Sequence, residues 1–430
     1  MSQPTIPPKP PFKYNDDQAR AIEEIYNFIT SSCGGDRYVL AGSAGVGKTA
    51  CVKEVHRRLL KHKPKFKILY TAPTNKATKV LRESFDMPGA ECMTIYKALG
   101  LQLLPSGETR ELTVRGGRKP IEQFDAVVVD EASMVNKTLN THIGIASTDY
   151  DVPFVFMGDL AQLPPVGEAM SEIWEEGADL ELTKVMRFDN QILKLASVLR
   201  DYVKFPVGNL PLQSDNDKVE GIWRATREEM YAQIVKVAGT SDAFQAGRVK
   251  AIAWRNVNVD EMNKVARAAM EGRDYSFPFS KGDRVISRSP AMSKEKETLL
   301  HTDDEATVLS VEVAAHPFHK EYDCFIANLL TDEGETVRVW VIHPRSAPKL
   351  KVALNQLSSE KQWKRFWGLK EAFHDISLAY AITAHRSQGS TYESVFVDFR
   401  DILSNPNRAE AAKCLYVACS RPQKRLYLGA

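Results

Sequence analysis

The stretch Arg37-Tyr-Val-Leu-Ala-Gly42-Ser-Ala-Gly-Val-Gly47-Lys48-Thr49 constrains the chain more than any other segment. A short apolar run, Tyr38 to Ala41, feeds a glycine-rich turn, and Cys51, Val52, Val55 and Leu59 then recur at helical spacing. Strand, GxxxxGK[ST] loop and helix in that order make a P-loop. Its glycines let the backbone N–H groups of Gly45, Val46, Gly47, Lys48, Thr49 and Ala50 close around phosphate oxygens. Lys48 then reaches the β and γ phosphates of ATP, and the Thr49 hydroxyl binds Mg²⁺. A glycine-rich turn alone would not be flanked correctly on both sides. The chain is therefore expected to be an α/β protein with this loop at a sheet edge.

Two more strand ends carry polar groups. Ala126 to Val129 is a buried apolar run that delivers Asp130-Glu131 to the carboxyl edge of a sheet, where open α/β folds bind ligands. Asp130 suits the Mg²⁺ shell, and Glu131 suits orienting and deprotonating an attacking water. Val152 to Met157 repeats the design and ends in Gly158-Asp159, with Gln162 placed to contact a γ phosphate before the stiff Leu163-Pro164-Pro165. Upstream, Asn15-Asp16-Asp17-Gln18 opens an amphipathic helix. The Gln18 amide could read adenine by donating and accepting at once, or could be a solvated helix residue.

Composition bounds the rest. A chain of 430 residues exceeds one ordinary core, so two to four domains are expected. No apolar run approaches the length of a spanning helix, and the proline-rich start through Phe12 lacks the apolar core of a signal peptide. A cytoplasmic protein is expected, with residues 1–13 a disordered lead-in. Cysteines at 33, 51, 92, 324, 414 and 419 form neither CxxC pairs nor His/Cys groups at zinc spacing, which reads as free thiols. A net charge of only +2 excludes a globally basic coat but leaves room for a local nucleic-acid track.

The P-loop, Asp130-Glu131-Ala132-Ser133 and Gly158-Asp159-Leu-Ala-Gln162-Leu-Pro-Pro together resemble the superfamily 1B DNA helicases, the RecD-like branch that contains RecD, Pif1 and the bacteriophage Dda helicase. The resemblance continues in order through Ala72-Pro73-Thr74-Asn75-Lys76-Ala77, Leu182-Thr183 with Arg187, Ala381-Ile-Thr383-Ala-His385-Arg-Ser-Gln388-Gly389-Ser390, and Leu415-Tyr-Val-Ala-Cys-Ser-Arg421. It implies two RecA-like domains with ATP between them. Lys48, Glu131, Gln162, Arg187 and Arg421 would be the catalytic set, with Arg421 the arginine finger. Gln18, Gly389 and the loop residues Gly45 to Ala50 would hold nucleotide, and Thr49 and Asp130 the metal. Pro73, Thr74, Asn75, Lys76, Thr94, Thr383 and His385 would line a single-strand track. Taken singly, Lys76, Lys79 and His385 suit a solvated face as well as they suit DNA contact.

The same resemblance divides the chain into a RecA-like domain (14–92 and 121–186), a β-hairpin pin (93–120), a second RecA-like domain (187–289 and 374–430) and an SH3-like insertion (290–373). The hairpin alternates about Pro105-Ser106-Gly107. Where relatives carry an aromatic wedge, it offers only Leu103, Leu104, Leu112 and Val114. Phe366, Trp367 and Phe373 match family aromatics but also suit a helix core. The expected activity is ATP-driven 5′-to-3′ movement on single-stranded DNA with separation of a duplex fork, by a monomer of a bacterial or phage-infected cell, near the nucleoid. Single-strand-binding and replication, recombination or repair proteins would be its partners. Two alternatives are a translocase that strips proteins with weak unwinding and a nucleotide-gated DNA-binding subunit of a larger assembly.

Overall fold

The computed structural model describes residues 13–184, 191–207, 210, 213–293 and 297–430. The proline-rich start and Arg187 lie outside the described residues. By internal contacts the chain forms two units, one holding residues up to Gln102 and Leu112–Phe205, the other Leu103–Glu111 and Pro206–Ala430.

In the first stretch of chain the elements run α1 (Asp16–Ser31), β1 (Arg37–Gly42), α2 (Lys48–His62), β2 (Ile68–Ala72), α3 (Asn75–Ser84), β3 (Ala90–Thr94), α4 (Ile95–Ala98), β4 (Leu101–Ser106), β5 (Thr109–Val114), β6 (Ala126–Val129), α5 (Lys137–Tyr150), β7 (Phe154–Gly158), β8 (Leu180–Leu182) and α6 (Gln191–Lys204). Six of the strands form one parallel sheet in the order β3-β2-β6-β7-β1-β8. Parallel strands need both faces covered, which is why β6 and β7 are continuous apolar runs and β2, apolar but for Thr71, is likewise buried at every position. One face packs Leu40, Tyr70, Val128 and Val155 under α1 and α2, and the other packs Val39, Val127, Val129 and Phe156 under α5. Because the strands are parallel, their loops toward the next helix all leave from one edge. Strands β4 and β5 stand apart as a two-stranded hairpin.

The second unit continues with β9 (Asp215–Asn216), β10 (Gly221–Ala225), α7 (Arg227–Thr240), β11 (Val249–Ala253), α8 (Asn256–Ala268), β12 (Arg284–Ser287), β13 (Ala291–Met292), β14 (Thr298–Leu300), β15 (Glu305–Ala315), β16 (Asp323–Thr331), β17 (Thr336–Ile342), α9 (Ala347–Ser359), α10 (Trp363–Lys370), β18 (Ile376–Leu378), β19 (Ala381–Thr383), α11 (Ala384–Ser387), β20 (Tyr392–Asp398), α12 (Phe399–Leu403), α13 (Arg408–Cys419) and β21 (Pro422–Gly429). Its main sheet has the order β19-β11-β20-β21-β10-β9, parallel except for the β9 edge. An antiparallel five-stranded sheet, β17-β16-β15-β12-β18, encloses a separate core of Val285, Val308, Phe325, Ala327 and Val339. Of its members, β15, β16 and β17 lie within the 290–373 span expected for an insertion, and β12 and β18 come from outside it. Lys250 of β11 is fully buried and donates to Glu305 at 2.8 Å, while Arg284 reaches the same carboxylate at 3.1 Å. These charges lie between the parallel sheet and the antiparallel one, each compensated in place. No helix among the described residues is long and apolar enough to cross a membrane.

Candidate active site

The carboxyl edge of the first parallel sheet collects the groups read from the sequence. Strand β1 ends at Gly42 and α2 begins at Lys48, with Gly47 as its cap residue in a left-handed conformation (φ 93°) and no side chain capping the helix. The N–H groups of the first turn have no acceptor within the helix, and the turn carries no acidic side chain, so the geometry favours an anion. A side chain at Gly47 would meet Gln18 Nε2 at 2.5 Å and would sit on a left-handed backbone that strains any residue with a Cβ, which favours glycine. Lys48 folds over its own loop, donating to the Gly42 carbonyl at 2.6 Å and the Ser43 carbonyl at 3.1 Å.

Gln18 is placed differently from a solvated helix residue. It is buried in the capping box of α1, where its Oε1 accepts from the Asn15 amide at 3.1 Å and its own N–H donates to Asn15 Oδ1 at 2.9 Å. Its Nε2 donates to the Val46 carbonyl at 2.9 Å. The amide thus braces the phosphate loop from behind.

Strand β6 presents Asp130 and Glu131 beside this loop. Burial pushes the Asp130 carboxyl above the ordinary carboxylate range, against the pull of the Lys48 ammonium and of the Glu131 N–H, which donates to Asp130 Oδ1 at 2.9 Å. A carboxylate in that position gains from a cation, and with the Thr49 hydroxyl it offers the hard oxygen donors that Mg²⁺ takes. Glu131 has φ 53° and ψ 43°, a left-handed conformation at a residue with a side chain. Such backbone costs about 1–3 kcal/mol and is held by the surrounding fold. The following Ser133 donates its hydroxyl to the Asp159 carbonyl at 2.7 Å, joining the β6 and β7 loops. Gln162 is buried in the β7 loop, its N–H donating to that same Asp159 carbonyl at 3.0 Å.

Sequence reasoning missed Arg200. From α6 it donates to Asp159 Oδ1 at 3.1 Å and to Glu181 at 2.8 Å, so it fixes the loop that carries Gln162. Nothing marks Arg200 in the sequence, since it lies on a distant amphipathic helix. Arg187 lies outside the described residues.

The threonines expected on the DNA track share one structural role. Thr74 caps α3, Thr94 caps α4 and Thr383 caps α11, each accepting from the amide three residues on and each at or just past the end of a parallel strand. Pro73, Asn75 and Lys76 are half-buried around the first of them. His385, in the second unit, is half-buried in α11, and burial lowers its imidazole pKa while Glu410 at 3.5 Å partly offsets this.

Arg421 of the second unit is buried rather than surface-exposed. Its guanidinium donates to the Val417 carbonyl at 2.9 Å, the Ser390 carbonyl at 3.1 Å and the Ser420 hydroxyl at 2.9 Å. Gly389, with φ 71°, makes the turn that brings the Ser390 carbonyl round.

The hairpin tip groups with the second unit. Trp367 Nε1 donates to the Gly107 carbonyl at 2.8 Å, and Arg110 pairs with Glu371 at 2.5 Å while lying 5.0 Å from the Trp367 ring. Phe366, Trp367 and Phe373 are all buried, so these aromatics are core residues, and one of them also holds the hairpin. Leu103 and Leu104 remain exposed.

A family model described as an AAA domain matches residues 13–203, and one described as a UvrD-like helicase C-terminal domain matches residues 378–428. An uncharacterised protein of Acanthamoeba polyphaga mimivirus is 24% identical over 96% of this chain and 99% of its own. The ATP-dependent DNA helicase Dda of Enterobacteria phage T4 is 22% identical over 94% of this chain and 98% of its own. Among solved structures, Bacteroides Pif1 bound to single-stranded DNA matches with a TM-score of 0.53 at 16% identity, covering 97% of this chain and 92% of that one. That likeness extends to the fold as a whole, mixed α/β with RecA-like domains.

Proposed function

We propose that the chain is a superfamily 1B, Pif1/RecD-like helicase, an ATP-driven DNA helicase that moves 5′ to 3′ on single-stranded DNA and separates duplex strands in replication, recombination or repair. The observation that carries the reading is the left-handed Glu131 next to the half-buried Asp130, whose carboxyl feels the Lys48 ammonium, at one edge of a parallel sheet.

In this reading the first-turn amides of α2 and the Lys48 ammonium bind the phosphates. Lys48 leaves the Gly42 and Ser43 carbonyls to do so. Thr49 and Asp130 would hold Mg²⁺, which supplies charge neutralisation of the phosphates when bound. Glu131 orients a water and takes its proton. Gln162, fixed through Asp159 and Arg200, meets the γ phosphate. Arg187 and Arg421 stabilise charge on the phosphoryl group in transit, and Gln18 and Gly389 keep their neighbouring loops in shape for nucleotide. Pro73, Thr74, Asn75, Lys76, Thr94, Thr383 and His385 line the strand, where hydroxyl and amide donors meet phosphate. The four domains follow the bounds given above, with β15, β16 and β17 as the strands that the SH3-like insertion adds to the antiparallel sheet, and the protein acts as a monomer.

Turnover tests the division of labour. Lys48→Ala should weaken ATP binding, whereas Glu131→Gln should bind ATP and hold DNA without hydrolysis. Equal loss of nucleotide binding in both would contradict it. A second reading, a translocase with weak unwinding, is favoured by one observation: the exposed large apolar side chains described on the hairpin are Leu103, Leu104 and Val114, with no aromatic ring among them.

A further inference from the structure

Twenty-five residues and more separate His385 from Glu410 and Cys414 in sequence, which hides them from any search by ligand spacing. The fold of the second unit brings them together. Glu410 and Cys414 stand one turn apart on α13, and α11 places His385 against that face. The imidazole, carboxylate and thiol each offer an atom within 4.8 Å of the other two. Cys414 is fully buried and forms the floor, while His385 and Glu410 are half-exposed and form the rim. Burial lowers the imidazole pKa, partly offset by Glu410, which favours the neutral ring that a metal takes.

We propose that His385, Glu410 and Cys414 form a binding site for Zn²⁺, with a fourth coordination position left to solvent. A nitrogen, a carboxylate oxygen and a thiolate are the donors Zn²⁺ takes, and three protein ligands with one open position is a recognised arrangement. Bonds of about 2.0–2.3 Å in a tetrahedron put the ligating atoms roughly 3.3–3.7 Å apart, so the cluster must draw in by about 1 Å. The two rim side chains can rotate that far, while the buried thiol stays in place. Burial and the Glu410 carboxylate push the Cys414 thiol up to about 12, so binding must displace its proton to solvent as the sulfur–zinc bond forms. The bound ion ties α11 to α13, the helix that runs into Arg421. It also withdraws His385 from the strand, a consequence that rests on the DNA-track reading proposed above.

The test uses the full chain freed of metal with a chelator and titrated with Co²⁺ as a spectroscopic probe, then with Zn²⁺ to displace it. One equivalent should bind and give a thiolate-to-cobalt charge-transfer band in the near ultraviolet. The band should vanish in Cys414→Ser, weaken at least tenfold in apparent affinity in Glu410→Gln, and persist in Cys33→Ser, each variant having a cooperative melting curve. No band in the wild type, or a band indifferent to Cys414→Ser, overturns the site and leaves adventitious surface binding only. Zn²⁺ should further lower DNA-stimulated hydrolysis in the wild type and not in Cys414→Ser. A band with hydrolysis indifferent to Zn²⁺ would establish the site and count against His385 as a DNA contact.

Discussion

Burial of the Asp130 carboxyl sets a trade between stability and chemistry at a single residue. Its pKa is raised in the folded chain, so the folded state holds the proton more tightly than the unfolded state does. Stability from this group is full below the ordinary carboxylate range and is lost as pH rises through the raised value. At neutral pH the ionised side chain opposes folding unless a cation joins it. Asp130→Asn should therefore melt above the wild type at pH 7 without nucleotide or Mg²⁺, with a gain that shrinks on acidification, and should lose hydrolysis; a lower melting temperature would contradict the burial account. Arg421 makes a second case. Its three donated bonds mean that Arg421→Ala strips partners from buried carbonyls, at about 1–3 kcal/mol. As a finger it should also lower DNA-stimulated kcat by about 10³ or more while changing nucleotide affinity little. Arg421→Lys should not rescue turnover, since a point charge lacks the planar fork. A folded variant with near-wild-type kcat would show that the residue only braces the Ser390 turn. The types and order of Lys48, Thr49, Asp130 and Glu131 were legible because phosphate and metal chemistry admits few substitutes. The left-handed backbone of Glu131 and the clasp of Arg200 on Asp159 were not, because they arise from contacts distant in sequence.

At the scale of elements, the hairpin and α10 belong together. Trp367 bonds to the Gly107 carbonyl and Arg110 pairs with Glu371, so the tip is held at two points. If the hairpin serves at the fork, Trp367→Ala should leave single-strand-stimulated hydrolysis within about twofold of wild type and cut the unwinding rate severalfold or more. Loss of both activities together would instead mean that Trp367, itself buried, is needed for the fold. The parallel strands β1, β6 and β7 were readable as apolar runs ending in polar loops. Lys250 resists such reading, because a lysine inside β11 looks like a break in a core strand until Glu305 is seen beside it. Gln18 illustrates the reverse. Its place in the first turn of α1 was evident from the capping pattern, yet only the tertiary contact with Val46 reveals that it braces the loop.

For the whole molecule, the relation to Pif1- and Dda-type proteins was visible from motifs that run from residue 18 to 421, although overall identity to Dda is only 22%. Chemistry holds a few loop residues fixed while packing tolerates exchange of one apolar side chain for another. What motifs leave open is the direction of travel and whether movement opens a duplex. Strand displacement on duplexes carrying a 5′ single-stranded tail or a 3′ tail, with ATP and Mg²⁺ and with Glu131→Gln as the inactive control, addresses both at once. The account predicts ATP-dependent release of the displaced strand from the 5′-tailed duplex and little from the 3′-tailed one. Release only from the 3′-tailed duplex, or hydrolysis stimulated by DNA with no strand released from either, would contradict it.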